Sequence, residues 1–170
     1  DGQQSMTSMD SQQMVKLFDF LHELDNESGI IKQTEFFLYS QKDRKAVEEC
    51  MKKDYKFPEI TSWIRANKED FNLVKSMGIK ETGILMSCSD YHIFNKLNKT
   101  RTEAMKMYLD IAYAALENGI VPRCHFEDIT RADFYGFVVP LAKNLMEMSK
   151  DSKINVKIRA CDTLGVGVSH

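Results

Sequence analysis

What the chain lacks narrows it first. None of its four cysteines (Cys50, Cys88, Cys124, Cys161) stands within three positions of another, so no C-x-x-C pair exists to hold a metal or run a thiol–disulfide couple. Thiols this sparse make a poor disulfide framework, and reduced, buried cysteines in a cytoplasmic protein are the expectation. With only three prolines and eight glycines, no stretch reads as a linker, and a single domain over residues 1–170 is expected. No apolar run reaches the roughly 18 residues that a membrane span needs. The net charge of −2 provides no basic field, so neither nucleic acid nor an anionic membrane is expected as a partner. No G-x-G-x-x-G or G-K-[ST] loop follows an apolar run, which leaves a nucleotide cradle without support.

What is present alternates. Five stretches carry the helical period, most of them behind a capping signal. An apolar stripe of Met14, Val15, Leu17, Phe18, Leu21 and Leu24 follows Ser8 and Asp10. Ser40 with Asp43, and Thr100 with Glu103, have capping-box spacing. Asn67 opens a segment that carries acids in its first turn and stops at Gly78. The last, from Thr130 with Asp133, is expected to run through Pro140 with a kink. Between them lie short β-branched or apolar runs: "GIIKQTEFFLYS", "FPEITSWIRA", "IKETGILMSCS", "NGIVPRCHFE" and "INVKIRACDT". Strand, loop and helix repeated in this way predict right-handed βαβ units and a parallel sheet.

Parallel sheets of this kind work at the carboxyl ends of their strands, where loops and helix amino termini converge. The expected strand ends fall near Glu35, Arg65, Ser87, Glu127 and Asp162, and polar residues gather there, with Asn67, Ser89 and Thr163 just beyond. A doubly wound open sheet fits the same alternation. The missing phosphate loop tilts the reading toward a barrel.

At this point the polar strand ends resemble a known family. "DGQQ" is similar to the tail of the R-D-G-x-Q motif of the HMGL-like, or pyruvate carboxyltransferase-domain, metal-dependent barrel enzymes, which include 2-isopropylmalate synthase, homocitrate synthase and hydroxymethylglutaryl-CoA lyase. "RCHFEDITRAD" resembles their fifth-strand E-D-x-x-R-[SA]-D motif, and "CDTLG" their sixth-strand D-T-x-G. Order and spacing agree across nearly the whole chain, and within the family the resemblance is nearest to the acetyl-CoA-condensing branch, with the homocitrate synthases and the Re-face citrate synthases of anaerobes.

The resemblance implies a (βα)8 TIM barrel, here from the end of strand one through strand six, with strands seven and eight missing. It implies an enzyme that joins acetyl-CoA to a 2-keto acid in a metal-assisted Claisen condensation. The alternatives are lyase or carboxyltransferase chemistry of the same superfamily, or a truncated barrel without catalysis. Residue by residue, Asp1 matches the carboxylate that binds the divalent metal (Mg²⁺, Mn²⁺ or Zn²⁺). Gln4, Arg65 and Glu127 match catalytic positions. Glu35, Asn67, His92, His125 and Thr163 match positions that contact substrate. Asn67 departs from the family, which often has His there. A carboxylate such as Glu127 orients acid/base partners, while a metal chelated by the keto acid stabilises the alkoxide that forms.

Each assignment has a plainer rival. Glu127 equally suits an ion pair with Arg123 or Arg131, Asp128 a loop ion pair, Asp133 a helix cap and His22 a packing role. The family's arginine before the metal Asp would lie upstream of Asp1, and its H-x-H pair beyond His170. The chain therefore reads as an incomplete barrel with exposed edges, inactive alone; for the full-length form the resemblance implies a homodimer.

Overall fold

The computed structural model describes residues 7–167. Helix α1 (Ser11–Asp25) opens on Asp10, whose side chain accepts from the Gln13 N–H while Gln13 reaches back, a reciprocal cap. It is followed by β1 (Gln33–Phe36), α2 (Gln41–Met51), β2 (Glu59–Arg65), α3 (Lys68–Ser76) and β3 (Glu81–Ser87). Then come a π-turn over His92–Lys96, α4 (Arg101–Glu117), β4 (Val121–Glu127), a 3-10 turn over Ile129–Arg131, a second π-turn over Phe134–Val138, α5 (Val139–Ser152) and β5 (Lys157–Ala160). All five apolar runs are strands.

The strands lie side by side in chain order, β1-β2-β3-β4-β5, and every pair is parallel. A doubly wound sheet reverses direction at a switch point, and this sheet never does. With right-handed crossovers that always step the same way, the helices fall on one face. That is an arc of a (βα)8 barrel. The outer, helix-covered face carries Ile64, Ile84, Met86, Cys124 and Phe126, all essentially buried. Ala104, Tyr108, Ile111, Ala112 and Ala115 of α4 complete that core, and the buried Tyr108 hydroxyl donates to the Ser87 carbonyl at 2.9 Å.

Ser40, Asn67 and Thr100 cap their helices as their spacing predicts, each accepting from the N–H three residues on. The last helix differs from expectation. Thr130 caps nothing, and its hydroxyl donates to Asp162. The chain breaks at Ala132, and Asp133 is the cap, accepting from the Gly136 N–H at 2.8 Å. Pro140 sits in the first turn of α5. Lacking an N–H and crowding the carbonyl four residues back, proline cannot continue a regular α-helix behind it. The wider π-turn over Phe134–Val138, directly before α5, accommodates that constraint.

Candidate active site

Side chains on a strand alternate between faces, and along this sheet the odd-numbered positions face away from the helices. Most are polar: Gln33 and Glu35 on β1, Thr61 on β2, Glu81 on β3, Arg123, His125 and Glu127 on β4, Lys157 and Arg159 on β5, with Trp63, Gly83 and Leu85 among them. Together with α1 and the loop after β5 they border a cleft of about 710 Å³. Glu35, His125, Glu127, Arg159, Asp162 and Thr163 line it.

At the amino-terminal side of this face, Arg123 is only 5% exposed and uses all its donors. Nη1 donates to Gln33 at 2.9 Å and to Glu81 at 2.8 Å, Nη2 to Glu35 and to Thr61 Oγ1, and Nε to His125 Nε2 at 3.2 Å. Lys157 pairs with the other oxygen of Glu81. Burial, opposed by bonds from Lys157 and Gln33 that outweigh it, leaves the Glu81 carboxyl below the usual range. Desolvation, with the charges of Arg159 and Arg123, lowers His125 to about 4, so the imidazole is neutral across the physiological range. Gly83 makes room for this convergence: a Cβ there would lie 3.0 Å from both Glu35 Oε2 and His125 Nε2, and 3.1 Å from Trp63 Cδ1.

At the mouth, Glu127 accepts from the Ser87 hydroxyl and from Lys96 Nζ, which lies 3.0 Å from each carboxylate oxygen. Burial raises this carboxyl, but the Ser87 and Lys96 bonds outweigh it and hold the group ionised. His92 Nδ1 comes within 3.2 Å of Glu127 Oε2 but is not aligned for a hydrogen bond, and it is buried without a partner among the described residues. Asp128 is fully buried, in the left-handed region at φ 60°, and serves structure. It receives Arg131 and Ser89, and Arg131 above all depresses its carboxyl. Its backbone N–H donates to Thr163 Oγ1 at 2.8 Å, which occupies one of that hydroxyl's two lone pairs, while its O–H has no acceptor among the described residues.

The structure thus brings together Glu35, His125, Glu127 and Thr163, with His92 behind Glu127. It does not bring Arg65 and Asn67 to the cleft lining. The Arg65 guanidinium holds Asp70 bidentately at 2.8 and 2.9 Å and lies over the Tyr39 ring, while Asn67 caps α3. Asp1 and Gln4 lie outside the described residues. Glu127 pairs with neither Arg123 nor Arg131, as their partners above show. His22 has the packing role expected of it, stacked on Tyr55 with centroids 3.7 Å apart. The four cysteines are free, and burial pushes the Cys124 thiol up to about 12, which rules it out as a nucleophile near neutral pH. Among the described residues, no three His, Cys, Asp or Glu side chains converge to hold a metal ion.

Sequence reasoning missed Lys96, Ser87 as a ligand of Glu127, and Arg159. Strand alternation, which puts His125 and Glu127 on one face, applies equally to Arg159 on β5. Nothing in the local pattern marks Lys96, which reaches Glu127 from the π-turn after the neighbouring strand.

Comparison with known proteins bears on this arrangement. A family model described as HMGL-like matches residues 1–169. Over 170 residues the chain is 71% identical to a citrate (Re)-synthase of Clostridium kluyveri and covers 38% of that protein. It is 55% identical over 170 residues to a citrate (Re)-synthase of Syntrophus aciditrophicus, covering 27% of it. A 2-phosphinomethylmalate synthase of Streptomyces hygroscopicus is 38% identical over 175 residues, with 40% of it covered. The chain therefore spans well under half the length of these relatives. Among solved structures, a hydroxymethylglutaryl-CoA lyase from Pseudomonas aeruginosa superposes with a TM-score of 0.70 over 98% of this chain and 56% of its own. At 17% identity that likeness speaks for the barrel fold alone.

Proposed function

This chain belongs to the HMGL-like family, and on that premise we propose that the protein joins the methyl carbon of acetyl-CoA to the ketone of oxaloacetate by Claisen condensation, after which water cleaves the citryl thioester to citrate and free CoA. The observation that carries the reading is 71% identity, across all 170 residues, to a citrate (Re)-synthase. The cleft supports it, with an ionised carboxylate and a donor hydroxyl at one rim.

A Claisen condensation must take a proton from the acetyl methyl group, hold the keto acid in place and stabilise the alkoxide formed on its carbonyl. In our reading Thr163 donates its O–H to the carboxylate next to the ketone, fixing which carbonyl face meets the acetyl group. Glu127, ionised and anchored by Ser87 and Lys96, orients the proton transfer with His92 beside it. Glu35 and His125 form the floor of the substrate site. Gln4 is proposed to face the keto acid. Arg65 and Asn67 act at one remove, by shaping the turn between β2 and α3. The family implies a divalent metal, and Asp1 is the residue proposed for it. When bound, the ion would supply charge stabilisation for the alkoxide. No helix among the described residues is long and apolar enough to cross a membrane. A cytoplasmic homodimer is the proposed working form.

The test is a product assay on the purified protein, supplied with divalent metal, acetyl-CoA and, in turn, oxaloacetate, pyruvate, 2-oxoisovalerate and 2-oxoglutarate. Thiol release with oxaloacetate, and citrate as the product, is expected. Turnover of another keto acid in preference, or cleavage without condensation, would refute the reading.

A further inference from the structure

Arg159 is unlike the other cations of the polar face. Arg123, Lys157 and Lys96 are each paired with a carboxylate. The Arg159 guanidinium lines the same cleft, and no described residue forms an ion pair or hydrogen bond with it. The acids nearby are already committed. Glu35 is held by Arg123 and Glu127 by Lys96. Asp162 is turned into its own loop, where it accepts the backbone N–H groups of Val166 at 3.1 Å and Gly167 at 2.7 Å. Among the described residues, this positive charge has no counter-ion in the cleft.

Its neighbour completes a receptor. In the β4–β5 pairing His125 stands directly opposite Arg159 on the same face, and paired strands run about 4.8 Å apart. A guanidinium has only donors. The contact from Arg123 Nε to His125 Nε2 at 3.2 Å therefore requires Nε2 to accept. A neutral imidazole that accepts at Nε2 carries its proton on Nδ1, and no described group accepts from that atom. A charged fork and a fixed neutral N–H thus stand side by side. They lie one two-residue strand step, about 6.6 Å, deeper than the rim formed by Glu127 and Thr163. A four-carbon keto dicarboxylate, whose carboxyl carbons are three C–C bonds apart, spans that step once the reach of a hydrogen bond is added at its ends.

We propose that Arg159, with His125 as a neutral N–H donor beside it, receives the second carboxylate of a keto dicarboxylic acid and sets the preference for oxaloacetate over monocarboxylic keto acids. This rests on the functional reading above and adds the residues that choose the substrate. Arg123 acts through His125, as the residue that fixes its tautomer.

The experiment uses the purified protein and its Arg159→Met, Arg159→Lys, His125→Gln and His125→Ala variants. Arg159 is exposed and has no ion-pair partner among the described residues, so its variants should melt with the parent. A charge-assisted contact of this kind is worth roughly 10- to 100-fold. Arg159→Met should raise the KM for oxaloacetate by about that factor while affecting kcat far less. Arg159→Lys should fall between, and His125→Gln, which keeps an N–H, should bind better than His125→Ala. An unmoved KM, or equal loss in Arg159→Met and Arg159→Lys, would overturn the assignment. Calorimetric titration without acetyl-CoA separates this claim from the reaction itself. If oxaloacetate is not turned over, the functional reading fails. The subsite stands only if the parent prefers oxaloacetate to pyruvate in titration and Arg159→Met abolishes that preference, and it falls if the two proteins titrate alike.

Discussion

A buried arginine with every donor taken fixes its neighbours as firmly as they fix it. Replacing Arg123 with Met leaves Glu35 without its cation and Glu81 with only Lys157. Breaking such a buried pair costs roughly 3–5 kcal/mol, and urea denaturation of Arg123→Met should show a loss of that order. His125 ties the same network to pH. The unfolded chain protonates this imidazole near 6.5, whereas the folded one resists down to about 4. Across that window the unfolded state binds more protons, so stability falls as pH falls. Between pH 7 and pH 5 the parent should therefore lose more stability than His125→Gln in urea titrations, and equal losses would show that the imidazole does not carry this dependence. At the rim, Glu127→Gln keeps the shape and removes the charge, and kcat should drop about 10²- to 10⁴-fold with little change in melting temperature. Residues of this kind were legible only in part. Period-two alternation exposes His125 and Glu127 together, but Lys96, and the pairing of Arg123 with Glu35 far along the chain, are products of folding.

The elements were more legible than the contacts between them, because caps and strand runs are local chemistry. Thr100 with Glu103 announces α4: the hydroxyl accepts from the Glu103 N–H and the carboxylate from the Thr100 N–H, as a capping box requires. Thr100→Ala should cost about 1 kcal/mol, readable as a lowered denaturation midpoint with unchanged slope. The end of β4 is where local reading failed. Thr130 and Asp133 have the spacing of a cap, yet Asp128 is bound by Arg131 and Ser89, and the chain turns sharply before the helix can start. At Arg65 and Asn67 the local reading left out a neighbour. Their place at a strand end suggested substrate, while the adjacent Asp70 offers a nearer partner. Gly83 tests how closely β1 to β4 are fitted. Gly83→Ala would drive a methyl group against Glu35, His125 and Trp63, and overpacking of this sort costs about 1–3 kcal/mol. A normal melting temperature in that variant would contradict the close approach.

The whole molecule is read from one regularity: five parallel strands in chain order with helices on one face and polar side chains on the other. Alternation in the sequence was enough for the parallel sheet. The barrel direction, as against a doubly wound sheet, follows from an unbroken strand order that no local signal encodes. In this arc β1 and β5 each pair on one side only among the described residues, and open strand edges associate. A polypeptide of these 170 residues alone should therefore grow in apparent mass with concentration in light scattering, and a concentration-independent monomer would contradict that. The central claim is that Glu127 and Thr163, brought together from two strand ends, embrace the keto-acid end of the reacting substrate. The most direct measurement is a crystal structure of the purified protein with citrate bound. The expected result places citrate in the cleft, with one carboxylate on the Thr163 hydroxyl and the newly formed tertiary alcohol within reach of Glu127. Citrate bound elsewhere, or in the cleft out of reach of both residues, would contradict it.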